Sequence, residues 1–207
     1  MTITGFSEQD FKVFEIDGLE PRMESLIQLI RPKLEKLGQD LAPELASLTG
    51  EEMYVHVAKH ARRTVNPPND TWVAWANNKR GYKQHPHFQV GLWGTHLFIW
   101  FAMIYESPIK GSFAKLALEE KESILKQIPA HYVWSDDHMK PEVIRDMNED
   151  KLEELLQRLH KVKKSEFLVG VQIPRGDELL TNGQALTETI LDTFATLTPL
   201  YKLALRA

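Results

Sequence analysis

Two runs of alternating residues, 87–93 and 96–105, flank the dipeptide Gly94-Thr95 and constrain the fold more than any other part of the chain. Glycine in the first place of a two-residue connection is typical of the type II′ turn of a β-hairpin. That turn fixes which residues lie opposite each other, and side chains alternate between the two faces from there. The sequence therefore predicts an antiparallel hairpin with one register.

The two faces of this predicted hairpin differ in chemistry. One face is wholly apolar and carries Phe88, Val90, Leu92, Leu97, Ile99 and Phe101. Burying these side chains contributes about 10–15 kcal/mol before chain entropy is counted, so helices are expected to cover them. The other face carries His87, Gln89, Trp93, His96, Phe98 and Trp100 around a gap left by Gly91. A slip of one residue puts the polar groups in the core, which specifies the register strongly.

The rest of the chain predicts further strands and a set of helices. Strands are expected near 12–16, 53–58, 71–76, 87–93, 96–105 and 167–173, and helices near 21–48, 113–128, 149–164 and 183–205. Ser7 and Asn148 are expected to cap helices, and Pro32 predicts a kink or a break. The stretch 129–147 is expected to be an irregular surface loop. The pattern favours a single α+β domain over 1–207 with a largely antiparallel sheet.

Charge is distributed unevenly along the chain. The formal net charge is −4, yet residues 53–105 hold six lysines and arginines against one acid, Asp70. The same segment has five of the eight histidines and four of the five tryptophans. An acidic chain argues against nucleic acid and membrane surfaces as partners, whereas a local basic segment suits an anionic small molecule.

Cysteine and hydropathy bear on the compartment. The chain has no cysteine, which excludes disulfides and thiolate metal clusters and is compatible with a reducing cytoplasm. The N-terminal stretch MTITGFSEQDF lacks the basic and apolar regions of a signal peptide. The longest apolar run, 97–105, is about half of what a membrane span requires. We therefore expect a cytoplasmic protein with no membrane partner, and the sequence leaves protein partners open.

A ligand site is expected where basic residues meet the polar hairpin face. The residues expected to bind are His56, His60, Arg62, Arg63, Lys79, Arg80, Lys83, His87, Gln89, Trp93, His96 and Trp100. Arginine and lysine suit phosphate, and Gly81 allows the basic turn a positive φ. The alternative for each histidine and tryptophan is a second core layer whose polar atoms bond to neighbours.

Catalytic and metal motifs are largely missing. There is no Walker loop, no Gly-x-Ser-x-Gly, no Gly-x-Gly-x-x-Gly and no His-Glu-x-x-His, and no cofactor is expected. His85 and His87 are expected about 7 Å apart on one side of a strand, but a third ligand is not evident and no metal is expected. The run WSDDH at 134–138 contains triad residue types, yet adjacent residues rarely form a triad, so a solvated loop is expected.

Several stretches resemble a known family. The run HVAKHARRTVNPPNDTWVA at 56–74 resembles the YktB-like proteins of Gram-positive bacteria, as do KRGYK at 79–83, PHFQVGLW at 86–93 and LYKLA at 200–204. The resemblance spans nearly the whole chain. It implies a cytoplasmic α+β protein of unknown function, and it brings no activity, cofactor or catalytic residue.

Three functions remain open from the sequence. The leading hypothesis is a binding domain for a phosphate-bearing or other anionic ligand on the polar hairpin face. A second is a hydrolase or transferase that uses a histidine base there, such as His87 or His96. A third is a protein-interaction module that binds through acidic helices, with charges such as Glu153 and Glu154 and no small-molecule site.

Overall fold

The structure is a computed structural model that describes residues 4–207 of the chain. Residues 1–3 of the predicted domain 1–207, and with them the start of the stretch MTITGFSEQDF, lie outside the described residues. The helices are α1 Glu8–Lys12, α2 Leu19–Ser25, α3 Arg31–Thr49, α4 Lys110–Glu119, α5 Lys121–Gln127, α6 Glu149–Lys161 and α7 Gly183–Leu205. The strands are β1 Tyr54–Val57, β2 Asp70–Ala76, β3 His87–Trp93, β4 His96–Met103, β5 Val133–Ser135 and β6 Phe167–Pro174.

The strands of residues 4–207 form one six-stranded sheet in the order β1-β2-β3-β4-β6-β5. Each neighbouring pair is antiparallel. The predicted α+β class with a largely antiparallel sheet is therefore confirmed. Across the described part of the chain, none of the helices combines enough length with enough apolar character to cross a membrane.

The central hairpin adopts the predicted register. The predicted type II′ turn is wrong, because Gly94 does not have the positive φ that this turn requires. Phe88 lies opposite Phe101, Val90 opposite Ile99, and Leu92 opposite Leu97. These six apolar side chains are fully buried in the main core. The long helix α7 closes over them, with the ring of Phe194 centred 4.8 Å from that of Phe88. The helices pack on this apolar face, whereas loops lie against the polar face.

The kink or break predicted at Pro32 is a π-helical turn, Leu26–Ile30, between α2 and α3. Proline has no N–H and its ring crowds the carbonyl four residues earlier, and a wider turn relieves both effects. Further along, α3 approaches the sheet closely at Gly38, whose carbonyl accepts a 2.9 Å hydrogen bond from Nε1 of Trp75. A Cβ at Gly38 would lie 2.4 Å from Cγ1 of Val55, so glycine permits this approach.

The strand predicted near 12–16 is wrong. α1 runs to Lys12 and continues into a 3-10 turn, Val13–Glu15. Ser7 caps the start as predicted, in a capping box with Asp10. Phe11 and Phe14 are three residues apart and both enter the core, so helical spacing prevails over the β-propensity of the local apolar run.

The prediction of an irregular surface loop over 129–147 is also wrong. β5 lies within it and pairs with β6, and all three of its residues are buried. The N–H of Ile144 donates to the carbonyl of Trp134 at 2.7 Å, which folds the following segment back along β5. A strand of three residues is too short to show alternation, so periodicity does not detect it.

Other element boundaries differ from the prediction by a few residues. The helix predicted near 113–128 is two helices, α4 and α5, divided at Glu120. α6 ends at Lys161, and its N-cap Asn148 accepts the N–H of Lys151 at 2.9 Å, as predicted. β4 ends at Met103 instead of Tyr105.

Candidate functional site

The polar face of the hairpin has a sealed inner part. His87 is fully buried, and its Nδ1 lies 2.7 Å from the carbonyl of His85 while its Nε2 lies 2.8 Å from Nε2 of Gln89. Burial lowers the pKa of His87 to about 3. Nδ1–H therefore donates to the carbonyl, and Nε2 accepts from the Gln89 amide. Both side chains are satisfied by the protein itself.

His96 is satisfied in the same way. Its Nε2 accepts from Nε2 of Gln172 at 2.9 Å, and its Nδ1 lies 2.8 Å from the hydroxyl of Thr95. Burial lowers its pKa to about 4, so the imidazole is neutral at physiological pH. Half-buried Trp93 stacks along the His96 ring with centroids 6.5 Å apart.

The gap expected at Gly91 is filled. A Cβ at this position would lie 2.3 Å from Cζ of Phe98 and 2.5 Å from the carbonyl of Thr71. Phe98 in turn stacks on Trp100 at 6.2 Å. Between these side chains remains a cavity of about 10 Å³, the size of one water. The inner part of the face is thus a second core layer with no room for a ligand.

Beside this layer lies an open groove of about 530 Å³, which we call the cationic groove. It is bounded by the β1–β2 loop, β2, the 3-10 turn Tyr82–Gln84 and the segment after β5. Its charged and aromatic lining residues are Lys59, His60, Arg62, Arg63, Asp70, Trp72, Tyr82, Lys83, Glu106 and His138. Four lysines and arginines therefore face two carboxylates.

The four cations differ in how they are held. Arg63 donates to the carbonyls of Asn66 and Pro67 at 3.3 and 3.4 Å. Nζ of Lys83 lies 3.8 Å from Oε1 of Glu106 and 5.8 Å from the centre of the Trp72 ring. Within residues 4–207, neither Lys59 nor Arg62 forms an ion pair within 4.0 Å. These two side chains have charge available for a ligand.

The aromatic wall of the groove, formed by His60, Trp72 and Tyr82, is held by contacts among these side chains. Nε1 of Trp72 donates to the hydroxyl of Tyr82 at 2.7 Å, and burial raises the pKa of that hydroxyl to about 12. His60 meets the Trp72 ring edge-on at 5.6 Å and lies 3.2 Å from the hydroxyl of Thr71. Burial, and then the charges of Arg63, Arg31 and Lys83, lower the pKa of His60 to about 4.

Other residues of the predicted site lie outside the groove lining. His56 stacks on the Tyr82 ring at 4.9 Å, and its Nε2 lies 2.9 Å from the carbonyl of Asn78. Lys79 lies over the Tyr54 ring at 5.2 Å, and neither Lys79 nor Arg80 lines the groove. Of the twelve predicted residues, the groove brings together His60, Arg62, Arg63 and Lys83.

Asp70, the first residue of β2, is a groove residue that the sequence did not predict. It is 4% exposed and lines both the groove and the water-sized cavity. Its carboxylate accepts a hydrogen bond from its own backbone N–H, but no side chain of residues 4–207 donates to it and no cation of that range lies within 4.0 Å of it. Burial raises its pKa to about 6. Its isolation in a basic segment is the one signal in the sequence that singles it out.

His138 and Glu166 form a hydrogen-bonded pair that the sequence did not predict either. Glu166 is 1% exposed and accepts the backbone N–H and Nδ1–H of His138, both at 2.7 Å, and the N–H of Tyr105 at 3.3 Å. The expectation of a solvated loop at 134–138 is therefore wrong, because this carboxylate and buried Trp134 anchor it. Asp137, His138 and Glu166 offer oxygen and nitrogen atoms within 4.8 Å of one another, but the last two already bond to each other.

The fold and site define a class: an α+β protein whose antiparallel sheet has helices on one face and a cationic, aromatic groove at the edge of the other. The chain belongs to the family described as "Domain of unknown function (DUF1054)", which matches residues 6–201. It is 53% identical to a UPF0637 protein of Bacillus velezensis over 205 residues, 98% of each chain. It is 52% identical to a UPF0637 protein of Shouchella clausii over 207 residues, 100% of this chain and 98% of that one. The resemblance to an uncharacterised family of Gram-positive bacteria is confirmed.

Proposed function

We propose that this protein binds a phosphate-bearing or other anionic small molecule in the cationic groove. The observation that carries the proposal is the convergence of Lys59, Arg62, Arg63 and Lys83 on one groove of an otherwise acidic protein. The groove volume of about 530 Å³ lies within the range of small-molecule sites. The proposal includes a cytoplasmic location and does not extend to nucleic acid.

The arrangement of charge supports an anion. Arg62 and Lys59 make no ion pair in residues 4–207. Arg63 donates its hydrogen bonds to neutral backbone carbonyls, so the positive charge of Arg63 is not neutralised by them. Charge-assisted hydrogen bonds to phosphate are roughly twice as strong as neutral ones. Several cations at one concave surface also raise the local concentration of anions.

The aromatic wall supports a ligand with a planar or apolar part. Trp72, Tyr82 and His60 hold one another through a hydrogen bond and an edge-on contact, so little side-chain entropy is lost when a ligand covers them. Neutral His60 adds no charge of its own. The groove therefore offers an aromatic wall beside a cationic rim formed by Lys59, Arg62, Arg63 and Lys83.

Calorimetric titration with inorganic phosphate and pyrophosphate tests the proposal. The double variant Lys59→Ala/Arg62→Ala is expected to weaken binding at least about tenfold, since each lost charge-assisted bond is worth about 1.5–3 kcal/mol. Arg80→Ala is the matched control, because Arg80 is a basic residue of the same segment that lies outside the groove lining. The proposal fails if neither anion binds at millimolar concentration, or if Arg80→Ala weakens binding as much as the double variant.

One observation favours a hydrolase or transferase as the second candidate. Glu166 holds Nδ1 of His138, and His138 lines the groove. A carboxylate that orients an imidazole in this way is the usual support of a histidine general base. Such an enzyme would use His138, because His87 and His96 are buried and satisfied. Turnover of a phosphorylated compound that is lost in His138→Asn, with unchanged ligand affinity, would support it.

A further inference from the structure

The carboxylate of Asp70 is unusual among the polar groups at the groove. The buried side chains beside it, such as His87, Gln89 and His96, each have hydrogen-bond partners. Asp70 is 4% exposed, and its carboxylate accepts a hydrogen bond from its own backbone N–H; in residues 4–207 it has no side-chain donor and no cation within 4.0 Å. Burying a carboxylate that has one backbone donor and no cationic partner costs free energy. Because the fold keeps the Asp70 carboxylate in this unfavourable position, the carboxylate is expected to have a function.

We propose that the Asp70 carboxylate accepts hydrogen bonds from an N–H group of the ligand, so that the groove takes an anion which also carries N–H donors. This inference rests on the proposed function, which supplies the anion, and it adds a requirement on the other part of the molecule. The shared chemistry is an N–H donor, either a protonated amine or two adjacent N–H groups of a planar base such as guanine.

The position of Asp70 fits this role. It lies at the start of β2, where the groove meets the sealed layer of the sheet face, and it lines the spaces on both sides of this boundary. Trp72, two residues later on the same strand, points to the same side and forms part of the aromatic wall. A planar ligand that covers this wall has an edge close to Asp70 and leaves its anionic group at the cationic rim.

The charges around Asp70 do not replace such a donor. His138, Arg63 and Lys83 act on it through space and lower its pKa, yet burial outweighs them. Lys83 faces Glu106 and Trp72 instead, and Arg63 donates to backbone carbonyls. The carboxylate thus remains available as an acceptor while the cations remain available to the anion.

Matched ligand pairs test the inference by calorimetry at pH 7.5. Phosphoethanolamine and propyl phosphate are nearly isosteric and differ by the ammonium group, whereas guanosine and adenosine monophosphate differ in the N–H donors of the base. In at least one pair, phosphoethanolamine or guanosine monophosphate is expected to bind at least about tenfold more tightly than its counterpart, the worth of one hydrogen bond to a charged group. Adenine has an amino group but lacks the two adjacent N–H groups of guanine. The pair that shows the preference identifies the source of the donor.

Asp70→Asn is expected to abolish this preference and to leave inorganic phosphate bound equally well or more tightly, since it removes a negative charge. Glu106→Gln is the control, because it removes the other carboxylate of the same groove and is expected to preserve the ratio within each pair. Equal affinities within both pairs for the wild-type protein overturn the inference, and so does a preference that survives in Asp70→Asn. If the wild-type protein binds no phosphate at all, by contrast, the proposed function is overturned.

Discussion

The Nδ1 atom of His138 lies 2.7 Å from Oε2 of Glu166, and the same carboxylate accepts two backbone N–H groups, those of His138 and Tyr105. One buried side chain thereby joins the segment after β5 to the end of β4 and the start of β6. It holds this segment over the polar face of the sheet together with the pairing of Trp134 with Ile144 and the bond from Nε2 of Gln172 to the carbonyl of Pro141. His138, which lines the cationic groove, is positioned directly by this carboxylate.

Replacing Glu166 by alanine is expected to destabilise the protein strongly. The change leaves two backbone N–H groups and an imidazole without their acceptor, which costs about 3–5 kcal/mol. Urea denaturation of the variant measures the loss in free energy of unfolding. Glu154→Ala, at an exposed position of α6, is expected to change it by less than about 0.5 kcal/mol. Similar values for the two variants would show that Glu166 is not an anchor.

The protein is expected to lose stability in mild acid through His87 and His96. Burial depresses their pKa values to about 3 and about 4 in the folded state, while the unfolded chain titrates near 6.5. Unfolding therefore takes up protons below pH 6.5, and stability falls from there towards the folded pKa values. His87 is expected to lower the free energy of unfolding by about 2 kcal/mol between pH 6.5 and pH 5.

Nuclear magnetic resonance and denaturation check this expectation together. The ring signals of His87 and His96 are expected not to titrate between pH 7 and 5. Replacing His87 by asparagine is expected to flatten the dependence of unfolding free energy on pH over this interval, whereas replacing exposed His131 is not. Titration of His87 near pH 6 would contradict the expectation that this buried imidazole stays neutral between pH 7 and pH 5.

Asp70 is expected to have the opposite pH dependence. Burial raises its pKa to about 6 in the folded state, so its ionisation destabilises the fold, fully above pH 6, and this cost disappears as the pH falls towards the unfolded value near 4. The charged and titratable groups that line the two spaces beside it are Lys59, His60, Arg62, Arg63, Tyr82, Lys83, His96, Glu106, Asp137, His138 and Lys140. Asp70→Asn is expected to raise the free energy of unfolding at pH 8 by up to about 3 kcal/mol, and by less at pH 5. An unchanged or lower value at pH 8 would mean that Asp70 is stabilised by the protein itself.

Gly91→Ala is expected to disturb the polar face of the sheet. The new Cβ would lie 2.3 Å from Cζ of Phe98 and 2.5 Å from the carbonyl of Thr71, and the carbonyl belongs to a paired strand that resists movement. Overpacking of this kind costs about 1–3 kcal/mol, measurable as a lower midpoint of thermal unfolding. Gly111→Ala is the control, since its Cβ would come no closer than 3.5 Å to His160 and α4 favours alanine. If both variants unfold at the wild-type midpoint, Phe98 and β2 yield more easily than this packing indicates.

The fold was predictable where periodicity is long. The hairpin register follows from one turn and two strands of seven and eight residues, and the structure reproduces each pair from His87–Ala102 to Leu92–Leu97. Short elements were not predictable. Val13 and Phe14 belong to a 3-10 turn, and β5 has three residues, so neither carries enough of a repeat to identify its conformation.

The site was predictable only in part. The basic residues before β2 and in the turn after it were recognisable by type, but sequence distance does not say that Arg62 and Lys83 reach one groove while Arg80 does not. Alternation placed His87 and His96 on the polar face without showing that Gln89 and Gln172 satisfy them. His138 and Glu166, 28 residues apart, meet only because β5 and β6 are adjacent.

The sequence by itself determined the two faces of the sheet, because side chains alternate with a period of two and a two-residue connection leaves one register. Only the tertiary structure decided which part of the polar face is filled and which is open. That outcome depends on where loops lie and on which distant donor meets which acceptor, and these contacts have no local period. The groove, with Asp70 at its inner boundary, is open because the segment after β5 covers the inner layer of the polar face and leaves the edge of that face uncovered.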